Sequence, residues 1–325
     1  MTYGTVNADL MTTSDGVSSA GLYGLKNRIF NGDMRIDQRN AGASVTPTVN
    51  TTYTLDRWNT YLSQASKFSV QQSTTVPSGF KNSILVTSLS AYTVGTSETF
   101  AIAQRIEGLN TSDLDWGTAN AATVTLSFWV RSSLTGTFGG AIKNSAENRV
   151  YPFSYTISSA NTYEQKTITI AGDTSGTWLT TNGVGLTVVF SLGTGATVSG
   201  TSGAWGAGNL FSATGATSVV GTSGATFYIT GVQLEKGSTA TSFDYRPYTT
   251  ELQLCQRYYE NGGNTFAYVV NNQLANFFYK VSKRATPSTI TLSSGTINGS
   301  GTEGFNASVS TGTPVNCSVT ASAEL

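Results

Sequence analysis

From Arg28 onward, apolar and polar residues alternate in short runs. Val124, Leu126, Phe128 and Val130 fall on one side of a strand, and Thr125, Ser127, Trp129 and Arg131 on the other. That is the period-two signature of a half-buried strand. The same alternation recurs over Lys67 to Gln71, Phe100 to Ile106, Phe153 to Ile157, Ile168 to Ile170, Leu186 to Leu192 and Phe227 to Leu234. Clusters of Gly, Ser, Thr and Asn separate these runs, with no helical periodicity between them. The pattern predicts an all-β sandwich or jelly roll and argues against a parallel α/β sheet.

Two stretches lack the alternation. Residues 1 to 25 are polar and turn-rich, with Gly4, Gly16, Gly21 and Gly24. Alone they bury too little apolar surface to offset their ordering entropy. They read either as a disordered terminus or as an arm that orders against another subunit. Residues 193 to 224 are a Gly/Ser/Thr/Ala loop whose large apolar anchors are Trp205, Leu210 and Phe211. So long a loop is expected to be functional or pinned to the sheet or another chain.

One short helix is expected at about 250 to 260. Thr250 and Gln253 have capping-box spacing, Leu252, Cys255 and Tyr259 share a helical face, and Asn261-Gly262-Gly263 would stop it. Beyond it, Tyr268 to Val270, Ala275 to Val281, Thr289 to Leu292, Phe305 to Val309 and Asn316 to Ala321 read as short strands. Few of these residues are bulky, so this part should pack on the first domain or oligomerise. The organisation expected is an arm over 1–27, a jelly roll over 28–247, and a short helix with a small β domain over 248–325.

Composition removes several kinds of chemistry. The 325 residues contain no histidine, which excludes Ser-His-Asp and Cys-His catalysis and His-ligated zinc. Lys+Arg and Asp+Glu are both 18, so no cationic excess exists to displace counterions from nucleic acid. Cys255 and Cys317 allow one disulfide at most. No apolar run is long enough to span a membrane, and the opening residues lack the basic and apolar regions of a secretory signal.

Several stretches together resemble known proteins. They are KNRIFNGDMRIDQRNAGASVT, IEGLNTSDLDWGTA, VTLSFWVRSSLTGTF, ITGVQLEKGSTATSFDYRP, ELQLCQRYYE and the terminal ASAEL. The combination resembles a family of bacteriophage tail-fibre or virion structural proteins of the marine and cyanophage type. Within it, Asn31-Gly32-Asp33-Met34, Trp58, the Val124–Arg131 strand and the Ile229–Gly237 strand resemble carbohydrate-binding jelly rolls. The resemblance implies a virion location in the tail, a homotrimer, attachment to a phage tail or baseplate protein through residues 1–27, and a host surface glycan as ligand. It implies no cofactor. In those jelly rolls the closing strand often carries an Asp pair that helps hold calcium. Here Thr230-Gly231 stands in that place, which leaves Asp33 as a lone carboxylate.

Sugar binding needs aromatic faces with polar side chains beside them. Trp129 points away from its strand's apolar side, so it lies on a ligand platform or under a loop or neighbour. Arg149 and Tyr151, on a following strand, are expected to share its outward face. Trp58, Trp116 and Trp178 stand at strand ends, as core plugs or loop anchors. Glycosidase chemistry would need paired carboxylates. The pairs available are Asp113/Asp115, Glu98/Glu107 and Glu147/Asp173, and the first sits in a turn where Asp normally caps backbone N–H groups. Two alternatives stand beside a glycan-binding tail fibre: a non-adhesive decoration or connector, and a polysaccharide depolymerase.

Overall fold

The computed structural model describes residues 25–267, 274–308 and 315–325, and gives the backbone alone for 263–267, 274–275 and 315–317. In chain order the strands are β1 (Tyr53–Leu55), β2 (Trp58–Leu62), β3 (Phe68–Ser73), β4 (Ser83–Ser88), β5 (Thr99–Glu107), β6 (Val124–Ser132) and β7 (Gly136–Asn144). Next come β8 (Arg149–Ile157), β9 (Glu164–Ile170), β10 (Val184–Thr194), the two-residue β11 (Ser199–Gly200), β12 (Gly206–Ala207) and β13 (Ser212–Ala213), then β14 (Thr226–Lys236). After helix α1 (Tyr248–Gln256) follow β15 (Tyr259–Ala267), β16 (Leu274–Phe278), β17 (Thr289–Leu292), β18 (Thr296–Ser300), β19 (Gly304–Ser308) and β20 (Val315–Ser322).

Seven strands form one sheet in the order β1-β2-β5-β10-β7-β8-β12, and five form a second in the order β3-β4-β14-β6-β9. The chain switches between these sheets from β2 to β3, β4 to β5, β5 to β6, β6 to β7, β8 to β9, β9 to β10 and β12 to β14. The long pairings are antiparallel. This is an all-β jelly roll, as the alternation predicts. Phe128 of one sheet meets Tyr155 and Phe190 of the other, each at 5.0 Å between ring centroids. They lie in one continuous core with Trp58, Phe138, Phe153 and Phe227. Burying such side chains stabilises by about 1.5–3 kcal/mol each.

Residues 27–36 precede the first strand and are built into the sandwich. The Asn27 side-chain oxygen accepts the N–H groups of Ile29 and Leu234, at 2.9 and 3.0 Å. Asn31 takes a positive φ of 55°. Its amide donates to the carbonyls of Ile36 and Asp56, and its main-chain carbonyl accepts the Trp58 indole N–H. Arg246 is buried, donates to the carbonyls of Asn27 and Ile29, and pairs with Glu251 at 3.2 Å. Glu251 in turn accepts the Asn31 N–H. The stretches NRIFNGDM, FDYRP and ELQLC, far apart in sequence, therefore meet in one buried polar network.

This network explains two departures from the sequence expectation. The helix starts at Tyr248 with Pro247 as its N-cap, and no side chain caps it, so the Thr250/Gln253 capping box does not form. Glu251, Cys255 and Gln256 face inward, because Arg246 compensates a buried carboxylate there. Asn261-Gly262-Gly263 does not stop the helix either. It lies within β15, where a register shift in the pairing with β20 takes up the glycines.

The C-terminal segment packs on the sandwich. Glu324 pairs with Arg57 and, at 2.8 Å, with Arg39. Arg57 is fully enclosed, with its guanidinium 3.5 Å from the centre of the Tyr258 ring. The main-chain oxygen of Leu325 accepts from Arg105 at 2.6 Å and from the Tyr53 hydroxyl at 2.9 Å. Glu107 of β5 is held by Arg257 and by the Tyr258 hydroxyl, at 2.7 and 2.6 Å. Cys255 is a free, buried thiol, whereas residues 1–24, the expected strand over 268–270 and the Cys317 side chain lie outside the described residues.

Candidate functional site

The outer face of the five-stranded sheet follows from the register of β6. Trp129 stands opposite Gln165 of β9 and Thr230 of β14, and Arg131 stands opposite Tyr228. Phe128, Val130, Phe227 and Ile229, which alternate with them, are fully buried on the core side. Trp129, Arg131 and Tyr228 are half-buried on the outer side.

A bulge in β14 shapes this face. The pairing of β14 with β6 slips between Thr230 and Gln233, and Gly231 there has a φ of 60°. A β-carbon on Gly231 would lie 2.6 Å from the tip of the Phe80 ring and 3.1 Å from Trp129 Cδ1. The glycine thus lets both rings settle onto the backbone. Phe80 continues into an aromatic trio with Phe243 at 5.3 Å and Tyr245 at 5.6 Å. Tyr245 is 54% exposed, and its hydroxyl donates to the Gly79 carbonyl.

On the other side of Trp129, the Arg131 guanidinium sits 4.8 Å over the Tyr228 ring, and its Nε donates to the Asn161 carbonyl. Tyr163 lies 6.4 Å from Tyr228 and donates to the Thr75 carbonyl. Burial pushes the Tyr163 phenol up to about 12 and raises that of Tyr245 as well. Arg131 brings a positive charge to the Tyr228 and Tyr163 end of this face, and the Asp33–Arg35 pair lies near Tyr245. The result is a strip of aromatic rings with exposed Gln165 and Thr167 beside it.

The five tryptophans divide cleanly. Trp58, Trp116, Trp178 and Trp205 each donate the indole N–H to a main-chain carbonyl, of Asn31, Ala122, Ser175 and Ala171 respectively. Trp129 makes no such bond among the described residues. Trp116, Trp178 and Trp205 also pack edge-on against one another, with centroids 4.7 to 5.4 Å apart. They are anchors, and Trp205 pins the Gly/Ser-rich loop to the sandwich.

Arg149 and Tyr151 do not join Trp129. Both lie on β8 in the seven-stranded sheet, because the chain changes sheet after β6. Tyr151 is buried against Trp205 at 5.2 Å. Arg149 is committed to Asp173 through two hydrogen bonds of 2.8 and 2.7 Å. The neighbours that the structure gives Trp129 are instead Phe80, Gly231, Gln165 and Thr230, with Arg131 and Tyr228 one step along the strands. The alternation in the Val124–Arg131 strand could have picked out Arg131. Only the register of β14 identifies Tyr228.

The outer face of the seven-stranded sheet is covered by its own chain. Phe211 and Leu210 lie over Tyr61, Ala101, Ala103, Ala141 and Val189. Lys143 is buried beneath Phe211, 3.7 Å from its ring centre, and donates to Glu147 at 3.0 Å and to the Asn209 side chain at 2.8 Å. Desolvation pulls its ammonium down to about 8.

The carboxylate pairs are occupied structurally. Asp113 pairs with Arg28 at 2.7 Å, and Asp115 occupies a left-handed turn position at φ 52°. Glu98 caps the Gly95 N–H and accepts the Tyr92 hydroxyl, Glu107 is held by Arg257, Glu147 by Lys143, and Asp173 by Arg149. Asp33 pairs with Arg35. No group of three or more His, Cys, Asp or Glu residues suited to a metal occurs among the described residues. No described helix is long and apolar enough to cross a membrane.

No family model matches the chain, and no curated protein matches it. Solved structures similar to it include the enzymatically active domain of tailspike protein 4 of bacteriophage CBA120. That match has 12% identity and a TM-score of 0.34, covering 65% of this chain and 21% of the tailspike chain. A family 4 carbohydrate-binding module matches at 14% identity and a TM-score of 0.34, over 64% of this chain and 98% of the module. The family 11 module from Clostridium thermocellum, in complex with a mixed-linked tetrasaccharide, matches at 11% identity and a TM-score of 0.30, over 62% and 98%. At these identities and scores the likenesses carry nothing about ligand or activity, and the fold assignment stands on the strand order described above.

Proposed function

We propose that the chain is a phage tail fibre or related virion appendage protein, located in the tail, that recognises a host cell-surface polysaccharide without cleaving it. Residues 1–27 attach it to a tail or baseplate protein, and three copies assemble into the working unit. The observation that carries the recognition is Trp129: a half-buried indole whose N–H has no partner among the described residues, on a strand face with Tyr228, Arg131 and Gln165. Such a face offers stacking to a sugar ring and hydrogen bonds to its hydroxyls. The zero net charge suits a ligand held by short-range contacts and gives no long-range steering. The resemblance of the long motifs to those of phage virion proteins supports the location. The structural engagement of every candidate carboxylate but Asp115 supports binding over hydrolysis.

The test is Trp129→Ala, compared with wild type on an array of bacterial surface polysaccharides and in adsorption to host cells. An unchanged melting temperature with retention lowered about tenfold, the equivalent of ~1.4 kcal/mol, is the expected result. Unchanged retention would remove Trp129 from the site. Release of reducing sugar from a bound polysaccharide would overturn the non-enzymatic reading.

A further inference from the structure

The arginines of this chain are spent on the chain itself, with one exception. Seven of the ten pair with its own carboxylates. Arg105 gives its terminal nitrogens to the Leu325 main-chain oxygen and the Tyr61 hydroxyl, and Arg284 gives its own to the carbonyls of Asn182 and Glu324. The tenth is Arg131 on β6, two residues from Trp129 and on the same face. Only its Nε is bonded, to the Asn161 carbonyl at 2.8 Å. Among the described residues its terminal nitrogens have no partner and are not buried, so they open to solvent.

The carboxylates around this face leave that charge unbalanced. Glu164, the carboxylate of the adjoining strand β9, is out of phase with the outward Gln165 and pairs with Lys166 at 2.6 Å. At the Tyr245 end, Asp33 pairs with Arg35. Arg131 is nevertheless held in place, by its bond to Asn161 and by the Tyr228 ring 4.8 Å from the guanidinium. A guanidinium set over a ring keeps its N–H edge for an in-plane acceptor, and a carboxylate fits that edge with two parallel hydrogen bonds. The Trp129 indole N–H, also without a partner among the described residues, can only donate. Two donor-only groups thus stand roughly 6.5 Å apart along the strand, about the reach of a sugar ring with a carboxyl group on its edge.

We propose that this face takes an acidic polysaccharide, with a sugar ring stacked on Trp129 and its ring-borne carboxylate bound by the terminal nitrogens of Arg131. The proposal rests on the glycan-binding reading above and names the substrate class of the same site. A carboxylate carried on the ring lets one sugar residue use both side chains, which a phosphodiester between rings does not. Because Arg131 is already held, it loses little rotamer freedom on binding. The attraction is local, since salt screens exposed charges beyond about 8–10 Å, and it needs no net charge on the protein as a whole.

The test uses the full-length protein and the surface polysaccharides of the array, each in its native form and after reduction of its carboxyl groups to alcohols. Reduction should lower wild-type retention about tenfold, as expected for losing hydrogen bonds to a charged group. Arg131→Gln, with its melting temperature as the check on folding, should distinguish the two forms much less than wild type does. Equal retention of both forms by wild type overturns the proposal and leaves glycan binding standing. A folded Arg131→Gln that keeps the full wild-type preference for the native form has the same consequence. Should the variant not fold, the wild-type comparison decides alone, repeated in rising salt: the preference for the native form must shrink, because an exposed ion pair is screened, and a preference indifferent to salt overturns the proposal. If wild type retains none of the polysaccharides, or Trp129→Ala retains them as well as wild type, the glycan-binding reading fails and the proposal with it.

Discussion

Glu251→Ala tests whether the buried network around Arg246 holds the two ends of the jelly roll together. The substitution leaves Arg246 with its bonds to the Asn27 and Ile29 carbonyls but without its nearest carboxylate. It also strips the Asn31 N–H of its acceptor. Removing one partner of a buried pair costs about 3–5 kcal/mol. Asp244 remains 3.6 Å from the Arg246 Nε and is partly exposed, so it compensates in part and places the loss at the lower end, ~3 kcal/mol. For a domain of this size that lowers the melting temperature by on the order of 10 °C. Urea denaturation followed by tryptophan fluorescence measures it directly, since Trp58 donates to Asn31 inside the same network. Replacing both partners, with Arg246→Met and Glu251→Leu, should recover most of the loss, because no unpaired charge then stays buried. A loss under about 1 kcal/mol for Glu251→Ala would show that the network is peripheral to stability.

Two further outcomes follow from other parts of the molecule. Burial lowers the Lys143 ammonium from 10.5 to about 8, so the unfolded chain holds more protons than the folded one between these values and stability rises with pH through that window. The stability difference between wild type and Lys143→Met should therefore move by a few kcal/mol in favour of wild type from about pH 8 to about pH 10.5, and a flat difference would refute the assignment. Gly231→Ala should cost about 1–2 kcal/mol for the left-handed backbone alone and displace Phe80 and Trp129. It should weaken glycan retention along with stability, and normal retention with an unchanged denaturation midpoint would show that the bulge does not shape the face.

The strands with strict alternation were legible in the sequence, and those with glycine were not. Val124–Arg131 declares both its conformation and its buried side, whereas the bulge at Gly231 shifts the buried phase of Phe227–Leu234 from Phe227 and Ile229 to Val232 and Leu234. β7, with the sequence GTFGGAIKN, lacks strict alternation yet is a central strand. A β-carbon at Gly140 would meet the Val189 carbonyl at 2.2 Å and the Phe153 ring at 2.4 Å, and one at Gly139 would meet Ser212 of the covering loop at 2.3 Å. The glycines there make room for neighbours that are remote in sequence. The same limit governs the site. Alternation puts Trp129 on the outer face, but sequence order makes Tyr151 look adjacent, although β8 belongs to the opposite sheet. Tyr228 comes beside Arg131 through a pairing that spans almost a hundred residues, which no local pattern encodes.

The salt bridge between Arg57 and Glu324 also bears on how the protein is made. The two residues are 267 positions apart, and Arg57 is enclosed beneath Tyr258 in the finished molecule. During synthesis Arg57 leaves the ribosome long before the carboxylate that neutralises it. Until Glu324 emerges, the sandwich must either keep Arg57 in water or bury it uncompensated. Closure of that end of the jelly roll therefore waits for Glu324 to emerge. A copy cut short before Glu324 would meet the cell's proteases with this end open.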